Sequence, residues 1–295
     1  MNSKQIIKNQ KSTDKNNIKS PKILPFKIAI MIHIYESVKI ANDLISSILV
    51  LLKYYDKSNF DWYVNIGETN KDNVSKLFEL VKSKLDPISK QLIIISSPNR
   101  GGDIGGFIKL VQTVTSSRIN YQYCYIFHTK TSDPWRKALV NDIIKIKLEK
   151  LIEFYDIGII GSKQHVHNFK YTPDSFYAYH IKGISKRLGI PISYNEEWLF
   201  IGGTIFLVNY KIISFLGSLD LNGFYYDLNT IDTIDYNWQN IVVTKFKKNT
   251  KNTNNDYHYR KLYGSSLQSD YMIEHTFERF IGYISKYLNL KTYGN

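Results

Sequence analysis

The chain has 295 residues, of which 43% are hydrophobic, and its 39 Lys and Arg outnumber 26 Asp and Glu to give a net charge of +13. This length and apolar content predict one large α/β domain, and the basic balance suits an anionic substrate or an anionic membrane surface. A single cysteine, Cys124, excludes an internal disulfide and a cysteine-rich zinc site, and no zinc, basic-zipper or RNA-binding pattern indicates nucleic acid as a partner.

Residues 1–24 are rich in Lys, Asn, Ser and Gln, which predicts a disordered basic tail before a single domain over residues 25–295. The first residues are polar, so no signal peptide is evident, and the longest apolar piece, residues 44–52, is too short to span a bilayer. We therefore expect a soluble, cytoplasmic protein, and the tail could make a peripheral membrane contact.

The first half of the chain alternates apolar strands with amphipathic helices. Strands are predicted at 26–34, 60–66, 92–96 and 123–127, with helices at 37–55, at 73–85 and from the glycine turn to about residue 115. This alternation predicts a mostly parallel sheet with helices on both faces.

The second half is less regular. A helix is predicted from Pro134 to about Tyr155, a strand at 157–161, an aromatic-rich insertion at 168–197, one strand at 198–208, a helix at 210–219, a low-complexity mobile loop at 245–256 and a last helix from about Asp270. His165 and His167 could ligate a metal, but no carboxylate follows at a recognised spacing, so a surface position is favoured.

The stretch from Asn99 to Arg136 concentrates the polar motifs. A glycine-rich turn at 99–106 opens a helix, and the next strand ends in His128-Thr129-Lys130. Helix N-termini and the carboxyl ends of parallel strands both favour anionic ligands. The turn alone would suit an ordinary tight connection, and it matches neither a nucleoside-triphosphate loop nor a dinucleotide fingerprint. The glycine-rich turn together with Lys130 and Arg136 predicts an anion-binding site.

The last predicted helix allows two interpretations. Apolar residues form one stripe at helical spacing, with His275, Glu278 and Arg279 on the opposite face. Those three residues could form an ordinary solvated face, and Asp270 could be only an N-cap. Sequence patterns alone slightly favour these structural roles.

Taken together, these motifs resemble the rhamnan synthesis protein F family, over about residues 26–282. The resemblance rests on the Asn-glycine-Asp turn, His-Thr-Lys, Trp-Arg, the Gly203-Thr204 strand and the spacing of Asp270, His275, Glu278 and Arg279. Two positions depart from the family pattern: Gly102 replaces an expected arginine before Asp103, and Asn209 stands where an arginine is expected.

The resemblance implies a glycosyltransferase of the GT-A-like, Rossmann-like α/β fold, with a nucleotide-sugar half at about 25–161 and an acceptor half at about 162–295. It implies transfer of a sugar, with rhamnose favoured, from dTDP-rhamnose or a UDP-sugar to a glycan or glycolipid acceptor in polysaccharide biosynthesis. The fold's usual Asp-x-Asp metal motif is replaced here by His128-Thr129-Lys130, and a lysine does not hold Mg²⁺ or Mn²⁺. We therefore predict no cofactor and no metal.

The resemblance also assigns roles to residues. The catalytic candidates are Asp270 as first choice for the base, Glu278 in reserve, and Lys130 for the diphosphate charge. The donor-binding candidates are His33, Tyr35, Asn99, Gly101, Gly102, Asp103, Gly105, His128, Lys130, Trp135 and Arg136. The acceptor- or sugar-binding candidates are Glu197, Gly203, Thr204, His275 and Arg279.

Two alternatives from other classes remain open. A non-catalytic glycan-binding protein could keep the same fold, and the 23 tyrosines would suit carbohydrate stacking in either case. A nucleic-acid-binding protein driven by the positive charge would show strongly salt-dependent binding, and we regard it as the weakest reading.

Overall fold

The structure is a computed structural model that describes residues 20–35, 37–68, 71–98, 102–129, 133–154, 156–172, 177–227 and 270–295. Its strands are β1 (Ile28–Ile34), β2 (Phe60–Glu68), β3 (Leu92–Pro98), β4 (Tyr123–His128), β5 (Ile157–Gly161), β6 (Val166–Lys170), β7 (Glu197–Ile201), β8 (Phe206–Asn209) and β9 (Lys291–Gly294). Its α-helices are α1 (Val38–Ile48), α2 (Lys71–Leu85), α3 (Gly102–Ser116), α4 (Asp133–Ile144), α5 (Ala178–Leu188), α6 (Tyr210–Gly217), α7 (Leu221–Asp227) and α8 (Asp270–Tyr287).

Seven strands form one sheet in the order β3-β2-β1-β4-β8-β5-β9. Strand β8 pairs antiparallel with both β4 and β5, and every other pairing in this sheet is parallel. A separate antiparallel pair is formed by β6 and β7. The predicted α/β class, with a mostly parallel sheet flanked by helices, is confirmed.

The strand order reverses beside β1. The chain moves outward from β1 to β2 and β3, then returns to place β4 on the other side of β1. In open α/β sheets such a reversal leaves a crevice at the carboxyl ends of the two central strands, which is where ligands bind. Strands β1 and β4 therefore define the first place to look for a site.

Two hydrophobic layers cover the sheet. Alternate residues of β1 point to opposite faces, so Ala29 and Met31 pack with α3, α5, α6 and α8, whereas Ile28, Ile30 and Ile32 pack with α1, α2 and α4. Because both faces are covered, β1 and β4 are buried along their whole length. This explains the uninterrupted apolar runs in the sequence, including the buried Cys124.

Several predicted boundaries were wrong. The first helix ends at Ile48 and continues as a short 3₁₀ helix, and the helix predicted to reach Tyr155 ends at Ile144, before Lys147 becomes extended. Just before the predicted start of the domain at residue 25, Leu24 is only 5% exposed and the Lys22 backbone bridges to Tyr55.

The single strand predicted at 198–208 is two strands, β7 and β8. Between them Gly203 and Thr204 adopt left-handed backbone conformations, with φ of 97° and 48°. Such angles cannot continue a strand, so the chain turns and enters the main sheet as β8. The terminal strand β9 and the β6–β7 pair were not predicted. The expected loop at 245–256 lies outside the described residues.

None of the helices described is long and apolar enough to cross a membrane.

Candidate functional site

The ends of β1 and β4 meet at the reversal point. His33 and His128 are register partners in the parallel ladder between the two strands. Just beyond them, the Thr129 backbone N–H donates to the His33 carbonyl oxygen at 3.0 Å, and the Tyr35 backbone N–H donates to Thr129 Oγ1 at 3.1 Å. These bonds hold the two strand ends together, so both histidines have fixed positions.

A chain of buried hydrogen bonds fixes the proton on His33. The Ser97 hydroxyl donates to Asn65 Oδ1 at 3.0 Å, and Asn65 Nδ2 lies 3.1 Å from His33 Nδ1. The amide nitrogen can only donate, so His33 Nδ1 accepts and a neutral ring carries its proton on Nε2. Among the residues described, this buried Nε2 has no hydrogen-bond partner. It is therefore a fixed N–H donor that a ligand oxygen or nitrogen would satisfy.

His33 is held as a neutral ring. Burial, followed by the positive charge of His128, lowers the pKa of His33 from 6.5 to about 4. Its ring stacks on Tyr35 with a centroid separation of 5.3 Å. A methyl group at Gly106 of α3 would come within 2.1 Å of the His33 ring, so only glycine lets the helix lie this close.

His128 bridges β4, α3 and the turn before β8. Its Nε2 lies 2.9 Å from the Gly203 carbonyl oxygen and 3.1 Å from the Asp103 carboxylate, and its Nδ1 lies 3.0 Å from the Thr129 carbonyl oxygen. In these contacts each ring nitrogen faces an oxygen acceptor, which is the arrangement of a doubly protonated imidazolium. The buried Asp103 carboxylate, in the first turn of α3, supplies the balancing charge.

Glu278 of α8 holds the turn that contacts His128. One carboxylate oxygen, Oε1, accepts from the Gly203 backbone N–H at 2.9 Å and from Thr204 Oγ1 at 2.8 Å. Glu278 is only 6% exposed, so its interpretation as part of a solvated helix face was wrong. The structure brings Gly203, Thr204, Glu278, His128 and Asp103 into one continuous buried cluster.

The two residues of the Trp-Arg motif point to different places. Trp135 is 36% exposed and its Nε1 donates to His165 Nε2 at 2.9 Å. Arg136 is only 2% exposed, and its Nη1 donates to the Ile40 carbonyl oxygen of α1 at 3.4 Å. In this arrangement Arg136 ties α4 to α1, and its predicted contact with a diphosphate stays a prediction.

The remaining acceptor candidates lie farther out. The Arg279 guanidinium lies 3.8 Å from the Tyr177 ring centroid and 4.6 Å from that of Phe200. Exposed Glu197 forms an ion pair with Lys170 at 3.2 Å. Neither side chain makes a described contact with the His33–His128 cluster.

Several predicted site residues lie outside what the structure describes. These are Asn99, Gly101 and Lys130, together with the side chains of Asp270 and His275, whose backbone belongs to α8. Gly102 and Gly105 lie in the first turns of α3. Within the described ranges, no three His, Cys, Asp or Glu side chains come together as metal ligands. The roles of all these residues stay predictions.

Sequence patterns missed Asn65 and Ser97. Both are polar residues at the carboxyl ends of apolar strands, and Asn65 is the register partner of His33. A polar residue near the end of each successive parallel strand was the available signal, because these ends meet at one edge of the sheet.

Comparisons with known proteins identify no family. No protein-family model matches the chain, and no curated protein sequence does. Among solved structures, the mannosyltransferase PcManGT from Pyrobaculum calidifontis, in complex with GDP-Man and Mn²⁺, is 12% identical over 65% of this chain, with a TM-score of 0.38. This chain covers 47% of that one, which is less than half its length.

Two fungal structures are similar at a comparable level. Core-mannan synthase A from Aspergillus fumigatus, in a Mn/GDP form, matches 73% of this chain and 68% of its own at 8% identity and a TM-score of 0.33. The mannosyltransferase Ktr4p from S. cerevisiae, in complex with GDP, matches 72% and 68% at 11% identity and a TM-score of 0.32. Similarities this low do not define the activity, donor or metal use of this chain.

Proposed function

We propose that this chain is a glycosyltransferase that moves a sugar from a nucleotide-diphosphate sugar to a hydroxyl group of a glycan. The observation that carries the proposal is the buried polar chain at the β1–β4 reversal point. It ends in an oriented His33 N–H donor beside the His128–Asp103 pair. An unsatisfied buried donor costs about 1–3 kcal/mol, so a site that keeps one is built for a ligand.

The His33–Tyr35 stack suits the base end of a nucleotide, and the N-terminus of α3 suits its diphosphate end. The neutral His33 ring, stacked on Tyr35, offers a donor and a flat surface to the base or ribose. The N-terminus of α3, where backbone N–H groups carry partial positive charge, favours the diphosphate. Lys130, two residues after His128 in sequence, would add a full positive charge.

Transfer without a metal ion is part of the proposal. Departure of the diphosphate requires positive charge, which a divalent cation or fixed side chains can supply. Asp103 is the carboxylate in contact with His128, and it already balances that ring. We therefore assign the neutralising role to Lys130 and the N-terminus of α3, with rhamnose as the favoured sugar because of the family resemblance.

The base that accepts the acceptor proton is proposed to be Asp270, in the first turn of α8. Glu278, eight residues further along the same helix, accepts two hydrogen bonds from the Gly203–Thr204 turn. Those bonds suit a positioning residue, and they leave Asp270 as the better candidate for proton transfer. Asp270→Asn should abolish turnover while donor binding persists; unchanged turnover would remove Asp270 from this role.

A thermal-shift panel of UDP-, GDP- and dTDP-sugars, with and without Mn²⁺, tests donor binding. We expect one nucleotide class to raise the melting temperature, and the same nucleotide sugar to release nucleoside diphosphate in the presence of a glycan acceptor. Binding without transfer to any acceptor would favour the non-catalytic glycan-binding alternative. Turnover that requires Mn²⁺ and is abolished by EDTA would overturn metal independence while leaving glycosyl transfer intact.

A further inference from the structure

Three aromatic rings lie in a row next to the candidate site, on residues from two different parts of the chain. The centroids of Trp135 and His165 are 5.5 Å apart, and those of His165 and His167 are 6.3 Å apart. We call Trp135, His165 and His167 the aromatic platform. Trp135 lies in the first turn of α4, whereas His165 directly precedes β6 and His167 lies in it, so tertiary structure brings these rings together.

The double glycine before β8 makes room for the platform. A methyl group at Gly203 would lie 3.1 Å from Trp135 Cζ2, and one at Gly202 would lie 3.3 Å from His167 Nε2. Both distances are tighter than ordinary van der Waals contact, so two rings rest directly on the backbone of this turn. The platform therefore sits on the turn whose Gly203 carbonyl oxygen contacts His128 and whose Gly203 N–H and Thr204 hydroxyl donate to Glu278.

The rings are held in place before any ligand arrives. Trp135 Nε1 donates to His165 Nε2 at 2.9 Å, and the Gly202 backbone N–H donates to the His165 carbonyl oxygen at 2.9 Å. His167 packs on the buried Phe200 ring with a centroid separation of 5.4 Å. A surface fixed in this way loses little conformational entropy when a ligand binds.

The platform is open to solvent and poorly suited to a metal. Trp135 is 36% exposed and His167 is also exposed. His165 Nε2 already accepts a hydrogen bond from the indole N–H, so that nitrogen is not available as a metal ligand. Exposed aromatic rings with polar edges suit a ligand that has an apolar face and a hydroxylated rim, which describes a pyranose ring.

We propose that the aromatic platform binds a sugar ring of the acceptor glycan, stacking its C–H face on Trp135 and presenting its rim to His165 and His167. This inference rests on the proposed glycosyl transfer, and it adds the acceptor subsite to it. It gives the His165–His167 pair a role, and it moves Trp135 from the donor side of the site to the acceptor side. A sugar seated there would touch the turn that His128 and Glu278 hold.

The test is a titration of full-length protein carrying ¹³C at the histidine ε1 position, followed by NMR. The probes are methyl α-L-rhamnopyranoside, methyl β-D-glucopyranoside and methyl β-D-galactopyranoside, and the His165 and His167 signals are assigned by their loss in His165→Ala and His167→Ala. We expect at least one glycoside to shift both signals saturably. Absence of saturable shifts with all three glycosides would overturn the proposal.

A matched pair of variants tests whether the rings carry the affinity. Asn168 follows His167 in β6, is also exposed, and points to the opposite face of the strand. We expect His167→Ala to weaken glycoside binding about fivefold, as loss of one hydrogen bond to the sugar rim would, and Asn168→Ala to leave it unchanged. Equal glycoside affinities in the two variants would contradict binding of the sugar at the aromatic platform.

The same samples separate this inference from the proposed function. Nucleotide-sugar binding is measured in parallel by thermal shift. Glycoside binding without nucleotide-sugar binding would overturn glycosyl transfer and leave the platform as a glycan-binding surface. Nucleotide-sugar binding and transfer without shifts at His165 and His167 would overturn the platform alone.

Discussion

At the scale of single residues, the donor proton on His33 is the feature most directly open to test. His33→Phe keeps a ring of similar size against Gly106 and Tyr35 but removes Nε2–H and the acceptor for Asn65. We expect nucleotide-sugar affinity to fall about tenfold, since one well-placed hydrogen bond is worth roughly 1.4 kcal/mol. Isothermal titration calorimetry measures this loss, and equal affinity in the variant would show that His33 does not contact the donor.

His33 also makes a specific prediction about pH. Its pKa is lowered to about 4 in the folded protein, so between pH 4 and 6.5 the unfolded chain binds more protons at this position than the native state does. Stability must therefore fall as the pH drops through this window, by roughly 3 kcal/mol from this residue alone. Urea unfolding at pH 7 and pH 4.5 measures this loss. Between these two pH values the free energy of unfolding should fall less in His33→Phe than in the wild type; an equal fall in both would contradict the lowered pKa of His33.

Glu278 separates a positioning role from a catalytic one. Its Oε1 accepts from the Gly203 N–H and the Thr204 hydroxyl, and a glutamine keeps an oxygen in that position whereas an alanine does not. We expect Glu278→Ala to cost about 2–3 kcal/mol of stability and Glu278→Gln about 1 kcal/mol. Glu278→Gln should retain most of the turnover; a stable Gln variant with no turnover would identify Glu278 as the base.

At the scale of elements, two helix glycines form a matched pair. Gly106 of α3 has the His33 ring within 2.1 Å of an added methyl group, whereas Gly183 of α5 has nothing within 4 Å. Gly183→Ala should stabilise the protein by up to about 1 kcal/mol, through helix propensity. Gly106→Ala should lower both stability and nucleotide-sugar affinity because His33 must move. Equal thermal stabilities of the two variants would contradict the close approach of α3 to β1.

Prediction of elements from sequence succeeded where burial on both faces produces long apolar runs. Strands β1 to β5 were located within two residues, because each is an apolar run that ends in polar residues. The turn at Gly203–Thr204 was missed because its flanking residues, Phe200, Ile201, Ile205 and Phe206, are all buried and read as one strand. Only the left-handed backbone of Gly203 and Thr204 separates β7 from β8, and a threonine in the sequence gives no sign of a left-handed backbone.

The candidate site was predictable in part for a similar reason. His33, Asp103 and His128 follow strands or open a helix, and sheet topology brings such positions together. Arg136 also follows β4 in sequence, and its position in α4 lets its Nη1 donate to the Ile40 carbonyl oxygen of α1, a contact that sequence order does not predict. Sequence order predicts which residues arrive at an edge of the sheet, whereas helix rotation decides which of them face it.

At the scale of the whole molecule, residues 1–19 carry a concentrated share of the positive charge. Residues 1–19 contain five Lys and one Asp, so their removal lowers the net charge from +13 to +9 (5 − 1 = 4). Within the part of the chain that the structure describes, Lys22 donates its backbone N–H to the Tyr54 carbonyl oxygen at 2.9 Å, so the truncation leaves this contact in place. We expect the shortened chain to keep its melting temperature and nucleotide-sugar binding.

Cosedimentation with phosphatidylserine-containing vesicles tests the predicted peripheral membrane contact. Each lysine near an anionic surface contributes about 1 kcal/mol, so the shortened chain should bind these vesicles much more weakly than the full chain. Neutral phosphatidylcholine vesicles are the control. Equal binding by both chains would place any membrane contact elsewhere on the protein.

Strand β8 runs antiparallel to both of its neighbours, and this direction determines which sequence changes the protein can tolerate. In a purely parallel sheet, residues that precede a strand arrive at the edge opposite the ligand; here the segment preceding β8 arrives at the ligand edge itself. A slip of two residues between β4 and β8 would carry Gly203 about 7 Å along the strand and out of reach of His128. Insertions and deletions between Gly203 and the end of β8 should therefore be tolerated far less than point substitutions, since pairing of the sheet and assembly of the ligand edge depend on the same alignment.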